Sequence, residues 1–333
     1  MTTRATAYSD RLTPAADEFL NKLKVDGFPG FAYLTVEEVR GMLGQLVPLA
    51  GEPEPVARFE EVQIPGNPDI PVRVYIPETN EPRHALAVMV YFHGGGWISG
   101  DAAYIDAPVR ALANRSGCAV VSVNYRLAPE HKYPAALDDA YAATMWASQH
   151  GQQFGWNGSR LVVAGESVGG NLAAAVALRA RDENGPSIAF QLLVYPILDH
   201  DYENESYRQF GSSWGILTRT DMTWFHCHYV NHPNQLDLPY VSPARCTNLV
   251  GLPEALAILP EADPLRDESL MYIERLRAAG VAARSAVYPR TIHGFWQLGA
   301  LFPEAGMALD EAAKSIRSHL SKAPGSTDPV TTL

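Results

Sequence analysis

The 333-residue sequence predicts an α/β fold in which a mostly parallel central sheet is covered by helices on both faces. From residue 86 onward, short apolar runs typical of buried strands alternate with longer segments typical of helices. A tight glycine-containing turn joins one of these strands to a small-residue helix near residue 167, and three consecutive glycines follow another strand near residue 93. The alternation implies a parallel sheet that is buried on both sides.

The individual elements can be assigned in chain order. Two helices are expected in the first fifty residues, one after Thr13-Pro14 through Leu23 and one from Thr35 to about Leu46, where Thr35 and Glu38 form a capping-box pattern. Strand signals near 56–64 and 72–76 flank a Pro-Gly-Asn-Pro turn and predict a hairpin. Further strands are expected at 86–92, 119–124, 161–164, 190–195, 255–259 and 283–288. The intervening helices are expected near 104–115, 134–149, 168–182, 265–279 and 304–320.

The composition excludes several classes of protein. Hydrophobic residues make up 47% of the chain and charged residues 19%, which excludes a mainly disordered protein. The formal net charge is −11 and no basic run occurs, so neither nucleic acid nor an anionic membrane is expected as a partner. Three cysteines without a CxxC pair indicate a reducing compartment. With no apolar leader and no apolar stretch of about 18 residues, we expect a cytoplasmic protein.

A serine stands at the turn between a predicted strand and a predicted helix. Residues 165–170 read Gly-Glu-Ser-Val-Gly-Gly, after the apolar run 161–164 and before a small-residue stretch. This arrangement is a nucleophile elbow, which places Ser167 on a strained turn where the flanking glycines avoid collisions. The same pattern occurs around Ser213, but it follows a polar segment there and is interpreted as a loop.

The glycine run at 94–96 and two later residues complete a pattern for acyl transfer. Glycines let backbone N–H groups approach a ligand, and such donors stabilise an oxyanion. The dinucleotide fingerprint fails because Ser99 occupies the third glycine position. A serine nucleophile needs a histidine base and an acid, expected in the order serine, acid, histidine. Asp263 and His293 each follow a predicted strand in that order.

Several motifs occur together between residues 86 and 295. They are His-Gly-Gly-Gly-Trp at 93–97, Asn-Tyr-Arg-Leu-Ala-Pro-Glu at 124–130 with Tyr-Pro-Ala at 133–135, the serine elbow, Tyr-Pro at 195–196, Asp-Pro-Leu-Arg-Asp-Glu at 263–268 and His-Gly-Phe at 293–295. With these motifs the chain resembles the hormone-sensitive-lipase-like (bacterial family IV) esterases of the α/β-hydrolase superfamily. The resemblance implies an α/β-hydrolase fold with a helical cap.

The same resemblance implies roles for individual residues. Ser167 would be the nucleophile, His293 the general base and then acid, and Asp263 the orienting carboxylate. The N–H groups of Gly95, Gly96 and Val168 would form the oxyanion hole, and His93 would be structural. The chain departs from the family at Glu166-Ser167-Val168, where Asp-Ser-Ala is more frequent. Since Val168 donates only its backbone, the chemistry is expected to survive, while its bulk is expected to narrow the acyl pocket.

We therefore expect a serine carboxylesterase that forms an acyl-enzyme on Ser167 and needs neither a cofactor nor a metal. An amidase, lactonase or carbamate hydrolase stays open, because the triad fixes acyl transfer and not the leaving group. A non-catalytic receptor on this scaffold is disfavoured because all three triad residues are retained. The expected partner is a small-molecule ester, and a homodimer is left open.

The expected domain organisation places a cap over the active site. We expect cap helices in residues 1–52, a cap insertion at 200–230, a catalytic domain at 53–199 and 231–323, and a tail at 324–333. A roofed pocket predicts short- to medium-chain acyl esters as substrates. The residues predicted to line this pocket, with core packing as the alternative for each, are Trp97, Tyr195, Phe210 and Trp214.

Two other groups of residues invite a functional interpretation that we set aside. The set His226, Cys227, His228 and His232 is not expected to bind metal, since helix residues two apart point away from each other. Asp267 could replace Asp263 as the acid. Its place near a helix start instead predicts a helix-terminal charge or a partner for Arg266 or Arg290.

Overall fold

The computed structural model describes residues 11–79, 85–212 and 216–321. Its centre is one eight-stranded sheet with the strand order β1-β2-β4-β3-β5-β6-β7-β8. The strands are β1 Arg58–Ile64, β2 Ile70–Ile76, β3 Val88–Phe92, β4 Ala119–Val123, β5 Leu161–Glu166, β6 Ile188–Val194, β7 Glu254–Ala262 and β8 Ala283–Ile292. The first two strands form the predicted hairpin, β2 pairs antiparallel with β4, and all other neighbours are parallel. The predicted α/β fold with a mostly parallel sheet is confirmed.

Ten α-helices accompany the sheet in the described part of the chain. They are α1 Pro14–Val25, α2 Val36–Leu46, α3 Asp106–Ser116, α4 Ala135–Gln149, α5 Gly151–Phe154, α6 Val168–Asp182, α7 Glu205–Phe210, α8 Arg219–Tyr229, α9 Arg266–Ala278 and α10 Pro303–Leu320. Helix α3 packs on α10, and α4 packs on α6. Every residue of β3, β4 and β5 is buried, because helices cover both faces of the central sheet.

The start of α2 shows how the sequence sets a helix boundary. The Thr35 hydroxyl accepts the Glu38 N–H at 3.2 Å, and the Glu38 carboxylate accepts the Thr35 N–H at 2.7 Å. This reciprocal capping box satisfies two N–H groups that a helix start otherwise leaves unpaired. The helix therefore begins where the capping pattern predicts.

Strands β7 and β8 extend beyond their predicted ends at residues 259 and 288. Pro260 pairs with Tyr288, and after a register shift Ala262 pairs with Ile292. The two strands are parallel, so their carboxyl ends lie at the same edge of the sheet. Asp263 and His293, the next residues along the chain, are thereby brought together.

In residues 11–79, 85–212 and 216–321, no helix combines the length and the apolar character that crossing a membrane requires.

Candidate active site

Ser167 occupies the sharp turn between β5 and α6. Its backbone has φ 57° and ψ −118°, a strained conformation for a residue other than glycine. The Ser167 N–H donates to the Val194 carbonyl at 2.9 Å, and the Ser167 carbonyl accepts the Ile197 N–H at 3.2 Å. A Cβ on Gly169 would lie 1.9 Å from the Phe92 carbonyl oxygen, which explains why this position is glycine.

Ser167, His293 and Asp263 form one chain of hydrogen bonds. His293 Nε2 lies 3.1 Å from Ser167 Oγ, and His293 Nδ1 lies 2.8 Å from Asp263 Oδ2. Asp263 is fully buried, and its other oxygen, Oδ1, accepts the Leu265 N–H at 2.9 Å. Such an arrangement can take a proton from a serine hydroxyl while a fixed carboxylate stabilises the imidazolium that forms.

The glycine loop after β3 supplies backbone donors beside Ser167. Gly95 and Gly96 line the same cavity as Ser167 and His293. Among the residues that the structure describes, none accepts a hydrogen bond from the N–H of either glycine. Val168 is the first residue of α6, where an N–H has no partner within the helix. These three N–H groups are therefore able to bind an anionic oxygen.

His93 supports this loop from behind. Its Nδ1 lies 2.7 Å from the Gly94 carbonyl oxygen, and its ring stacks on Tyr125 with the centroids 4.2 Å apart. The Tyr125 hydroxyl donates to the His93 carbonyl at 2.7 Å. Burial lowers the pKa of His93 to about 4, so the imidazole is neutral at pH 7. These contacts agree with a structural role.

Glu166 joins the elbow to the glycine loop. The Gly94 N–H donates to Glu166 Oε1 at 2.5 Å, and the Glu166 side chain is fully buried. Burial raises the pKa of Glu166 to about 8, so the protonated carboxyl predominates at neutral pH.

This raised pKa predicts a stability difference that depends on pH. The folded state favours protonated Glu166. The contribution of Glu166 to the free energy of unfolding is therefore complete below pH 4.5 and declines as the pH rises to about 8. The slope can reach about 1.4 kcal/mol per pH unit. We expect wild type to lose stability relative to Glu166→Gln across this window in urea unfolding at pH 5, 6, 7 and 8. A wild-type-minus-variant difference that stays constant from pH 5 to 8 would contradict the buried, protonated carboxyl.

A largely apolar cavity contains Ser167 and His293, and its volume of about 660 Å³ includes open space at the mouth. Its apolar walls come from the N-terminal segment, from residues 216–225 and from the sheet edge. These apolar residues are Phe31, Val39, Leu43, Leu46, Ile197, Ile216, Leu217, Met222, Phe225 and Leu298. The three from α2 recur at helical spacing, so one face of that helix lies against the cavity.

The N-terminal segment and α8 meet beside this cavity. The rings of Phe31 and Phe225 are 5.6 Å apart between centroids. The buried Asp221 carboxylate accepts the Ala32 N–H at 2.8 Å and the Thr218 N–H at 2.9 Å. Two segments distant in sequence are thus joined by both an apolar contact and a hydrogen bond to a buried carboxylate.

Three of the four residues predicted to line the pocket do not line it. Trp97 stacks on Tyr229 with centroids 4.1 Å apart, and Phe210 packs under the Arg266 guanidinium at 5.3 Å. Tyr195 lies behind His293, with the rings 4.6 Å apart. All three side chains are buried, as in the core-packing alternative given for each, because residue type does not reveal which way an aromatic side chain points. Trp214 lies outside the described residues.

The Val168 side chain does not narrow the pocket in the way that the sequence predicts. Its side chain is enclosed in the hydrophobic core at the start of α6 and is not part of the cavity wall. Most of the apolar residues that line the cavity carry no sequence signal of that role. Only the periodicity of α2 could have indicated some of them, and no motif marks Tyr104 or Gln297, which line the cavity as well.

The residues that the sequence analysis set aside have other contacts. Asp267 accepts the Arg266 guanidinium at 2.9 Å and the Ser206 N–H at 2.9 Å. His226 Nδ1 lies 2.7 Å from the Tyr202 hydroxyl, and His228 Nδ1 lies 2.9 Å from the Trp224 carbonyl of its own helix. Within the described ranges, no group of three or more His, Cys, Asp or Glu side chains could hold a metal ion.

Ser213 and the predicted tail at 324–333 lie outside those ranges, as do residues 1–10 of the predicted N-terminal cap.

Comparisons with known proteins place this geometry among related proteins. A family model described as the alpha/beta hydrolase fold matches residues 89–297. Carboxylesterase NlhH of Mycobacterium tuberculosis is 38% identical over 306 residues, which cover 90% of this chain and 95% of the relative. Ethyl acetate hydrolase of Pseudomonas putida is 34% identical over 253 residues, 75% of this chain and 79% of that protein.

Solved structures agree with the sequence relatives. A thermostable esterase from Pseudomonas putida superposes with a TM-score of 0.90 at 35% identity, over 95% of this chain and 99% of that one. A hyperthermophilic esterase from Pyrobaculum calidifontis gives a TM-score of 0.86 at 38% identity, over 92% and 98% of the two chains.

Proposed function

Because this chain belongs to the alpha/beta hydrolase fold family and is a serine hydrolase of carboxylic esters, we propose that Ser167, His293 and Asp263 carry out the reaction. The observation that supports this assignment is the hydrogen-bonded chain from Ser167 Oγ through His293 to Asp263, with distances of 3.1 and 2.8 Å. The substrate is a small-molecule ester.

In the acylation step, Ser167 Oγ attacks the ester carbonyl carbon while His293 Nε2 takes its proton. The carbonyl oxygen becomes an oxyanion, which the N–H groups of Gly95, Gly96 and Val168 stabilise. The C–O bond to the alcohol then breaks as His293 returns the proton to the leaving oxygen. The alcohol departs and the acyl group remains on Ser167.

In the deacylation step, a water molecule takes the place of the alcohol. His293 Nε2 removes a proton from this water as its oxygen attacks the acyl carbon, and the same N–H groups hold the second oxyanion. The bond to Ser167 breaks, His293 reprotonates the serine, and the carboxylic acid leaves.

Asp263 fixes His293 in the orientation that both steps need. Its Oδ2 accepts the Nδ1–H, so the unprotonated Nε2 faces Ser167. The Leu265 N–H on Oδ1 prevents the carboxylate from rotating away. The buried carboxylate also stabilises the positive charge that His293 carries in each tetrahedral intermediate.

The cap that we propose, residues 1–52 and 200–230, limits substrate length. Phe31 and the apolar face of α2 line the cavity together with Met222 and Phe225, and the two segments are joined through Asp221. A walled cavity of this kind favours short- to medium-chain acyl groups over long ones.

A series of p-nitrophenyl esters from acetate to palmitate, each below its aggregation limit, tests this proposal. We expect kcat/KM to be highest for short to medium acyl chains and to fall for long ones, with no jump when an emulsion forms. A maximum at palmitate, or activation at the onset of emulsion, would contradict the enclosing cap.

A matched pair of variants tests the cavity wall in the same series. Leu43→Ala shortens a buried lining residue and is expected to move the maximum toward longer chains. Val47→Ala, whose parent side chain is 40% exposed and does not line the cavity, is expected to leave the profile unchanged. Equal shifts in the two variants would show that the effect is not local to the cavity.

A further inference from the structure

The cavity wall contains one polar spot apart from the Ser167–His293 centre and the glycine loop. The other polar side chains in its lining are Ser99, Tyr104 and Gln297. The Ser99 hydroxyl already donates to the Gly95 carbonyl at 2.7 Å. Tyr104 and Gln297 contact each other, with Gln297 Nε2 donating to the Tyr104 hydroxyl oxygen at 2.8 Å. The remaining hydrogen-bonding capacity of the wall is thus concentrated at this pair.

Tyr195 fixes the orientation of the Gln297 amide. The Tyr195 side chain is fully buried, and its hydroxyl donates to Gln297 Oε1. With its oxygen held by Tyr195, the amide must direct its nitrogen toward Tyr104.

The Tyr104 hydroxyl is consequently left with an unused proton. It accepts from Gln297, which is its only hydrogen-bonding partner among the residues that the structure describes. Tyr104 is 6% exposed, and burial raises its pKa, so it remains a neutral donor at working pH. An unpaired donor beside apolar side chains is unfavourable until a ligand or water accepts from it.

The backbone around Tyr104 holds this donor in place. The Tyr104 N–H donates to Asp101 Oδ1 at 2.7 Å, and the Ala102 N–H donates to Asn124 Oδ1 at 2.6 Å. Gln297 lies in the short helical turn Phe295–Gln297, and this turn begins two residues after His293. The donor pair is therefore preorganised next to the reacting centre, which lowers the cost of binding an acceptor there.

We propose that Tyr104 and Gln297 form a substrate subsite that binds a second oxygen of the ester, such as an ether, hydroxyl or keto oxygen away from the bond that is cleaved. This inference rests on the proposed function and narrows its substrate class to esters that bear an additional hydrogen-bond acceptor. The acceptor can belong to the acyl part or to the alcohol part, and the test separates the two.

The test compares ester pairs that differ by one methylene replaced with oxygen. In the acyl arm, p-nitrophenyl butanoate is compared with p-nitrophenyl methoxyacetate, and p-nitrophenyl pentanoate with p-nitrophenyl 3-methoxypropanoate. In the alcohol arm, butyl acetate is compared with 2-methoxyethyl acetate. For each pair the ratio of kcat/KM, oxygen-containing over carbon, is measured in wild type and Tyr104→Phe. The intrinsic reactivity of each ester cancels between the two enzymes. In the set of esters whose extra oxygen reaches the subsite, we expect this ratio to be about tenfold lower in Tyr104→Phe than in wild type. A change of this size corresponds to the loss of one hydrogen bond.

Control variants separate the subsite from a general effect of losing a hydroxyl. Tyr272→Phe removes a buried hydroxyl from α9 that lacks a hydrogen-bonding partner among the described residues, and the ratios should stay at wild-type values. Gln297→Met removes the side chain that holds the Tyr104 hydroxyl and should lower the same ratio. This variant keeps the proposal testable if Tyr104→Phe does not fold.

A ratio that stays unchanged in both arms would overturn the subsite, even if kcat/KM fell by the same factor for the carbon and the oxygen esters. Turnover of the carbon esters by wild type would leave the proposed esterase mechanism standing in that case. Absence of turnover on every ester would instead overturn the proposed function itself.

Discussion

Ser167→Ala is expected to lower kcat for ester hydrolysis by roughly 10⁶-fold, as loss of the nucleophile does in serine hydrolases of this mechanism. The residual rate comes from the oxyanion donors and substrate binding, which the substitution leaves in place. Folding should be retained, because alanine is smaller than serine and the backbone bonds to Val194 and Ile197 do not involve the side chain. The measurement is kcat on a short-chain p-nitrophenyl ester, with thermal unfolding as the check on folding.

Two controls make this result specific to the elbow. A fluorophosphonate should form a covalent adduct on Ser167 in wild type and none in the variant. Ser213→Ala removes the serine of the second G-x-S-x-G match and should leave kcat nearly unchanged. If the Ser213 variant were inactive and the Ser167 variant active, the assignment of the nucleophile would be wrong.

Asp263→Asn is expected to lower kcat by about 10⁴-fold, the second largest effect. The asparagine amide can present an N–H to His293 Nδ1, which would place the imidazole proton on Nε2 and leave no base facing Ser167. The loss should be visible in kcat with little change in the unfolding midpoint, since asparagine has nearly the same size.

Asp267→Asn is the matched control, four residues along the chain. Its parent carboxylate contacts Arg266 and the Ser206 N–H rather than His293, so the substitution should act mainly on stability. Comparable losses of kcat in the two variants would leave the acid unassigned, and a larger loss at Asp267 would reverse the assignment.

Much of the fold could be predicted because its elements are encoded locally. The capping box of Thr35 and Glu38, the apolar strand runs and the small-residue start of α6 each reflect interactions within a few residues. The strand ends were less accurate, since β7 and β8 continue through pairing between distant residues. The assignment of 1–52 and 200–230 to a cap stays a prediction, supported by the contacts of Ala32 and Phe31 with α8.

The polar centre of the site could also be chosen from the sequence. A nucleophile elbow has a sequence pattern because Gly165 and Gly169 lie where any side chain would collide with neighbouring backbone. The candidate acid and base were found because each follows a predicted parallel strand, and the carboxyl ends of such strands share one edge of the sheet. Their catalytic roles remain proposals for the variants above to test.

By itself, the sequence determined the strands and most of the helices along the chain, the elbow at Ser167 and a short set of polar residues at strand ends, since these depend on local backbone preferences. Only the tertiary structure decided which side chains form the cavity. Trp97, Tyr195 and Phe210 are buried in the core, whereas Phe31, Tyr104, Phe225 and Gln297 line the cavity. The direction of a side chain depends on how distant elements pack, and that packing leaves no periodic or motif-like trace in the chain.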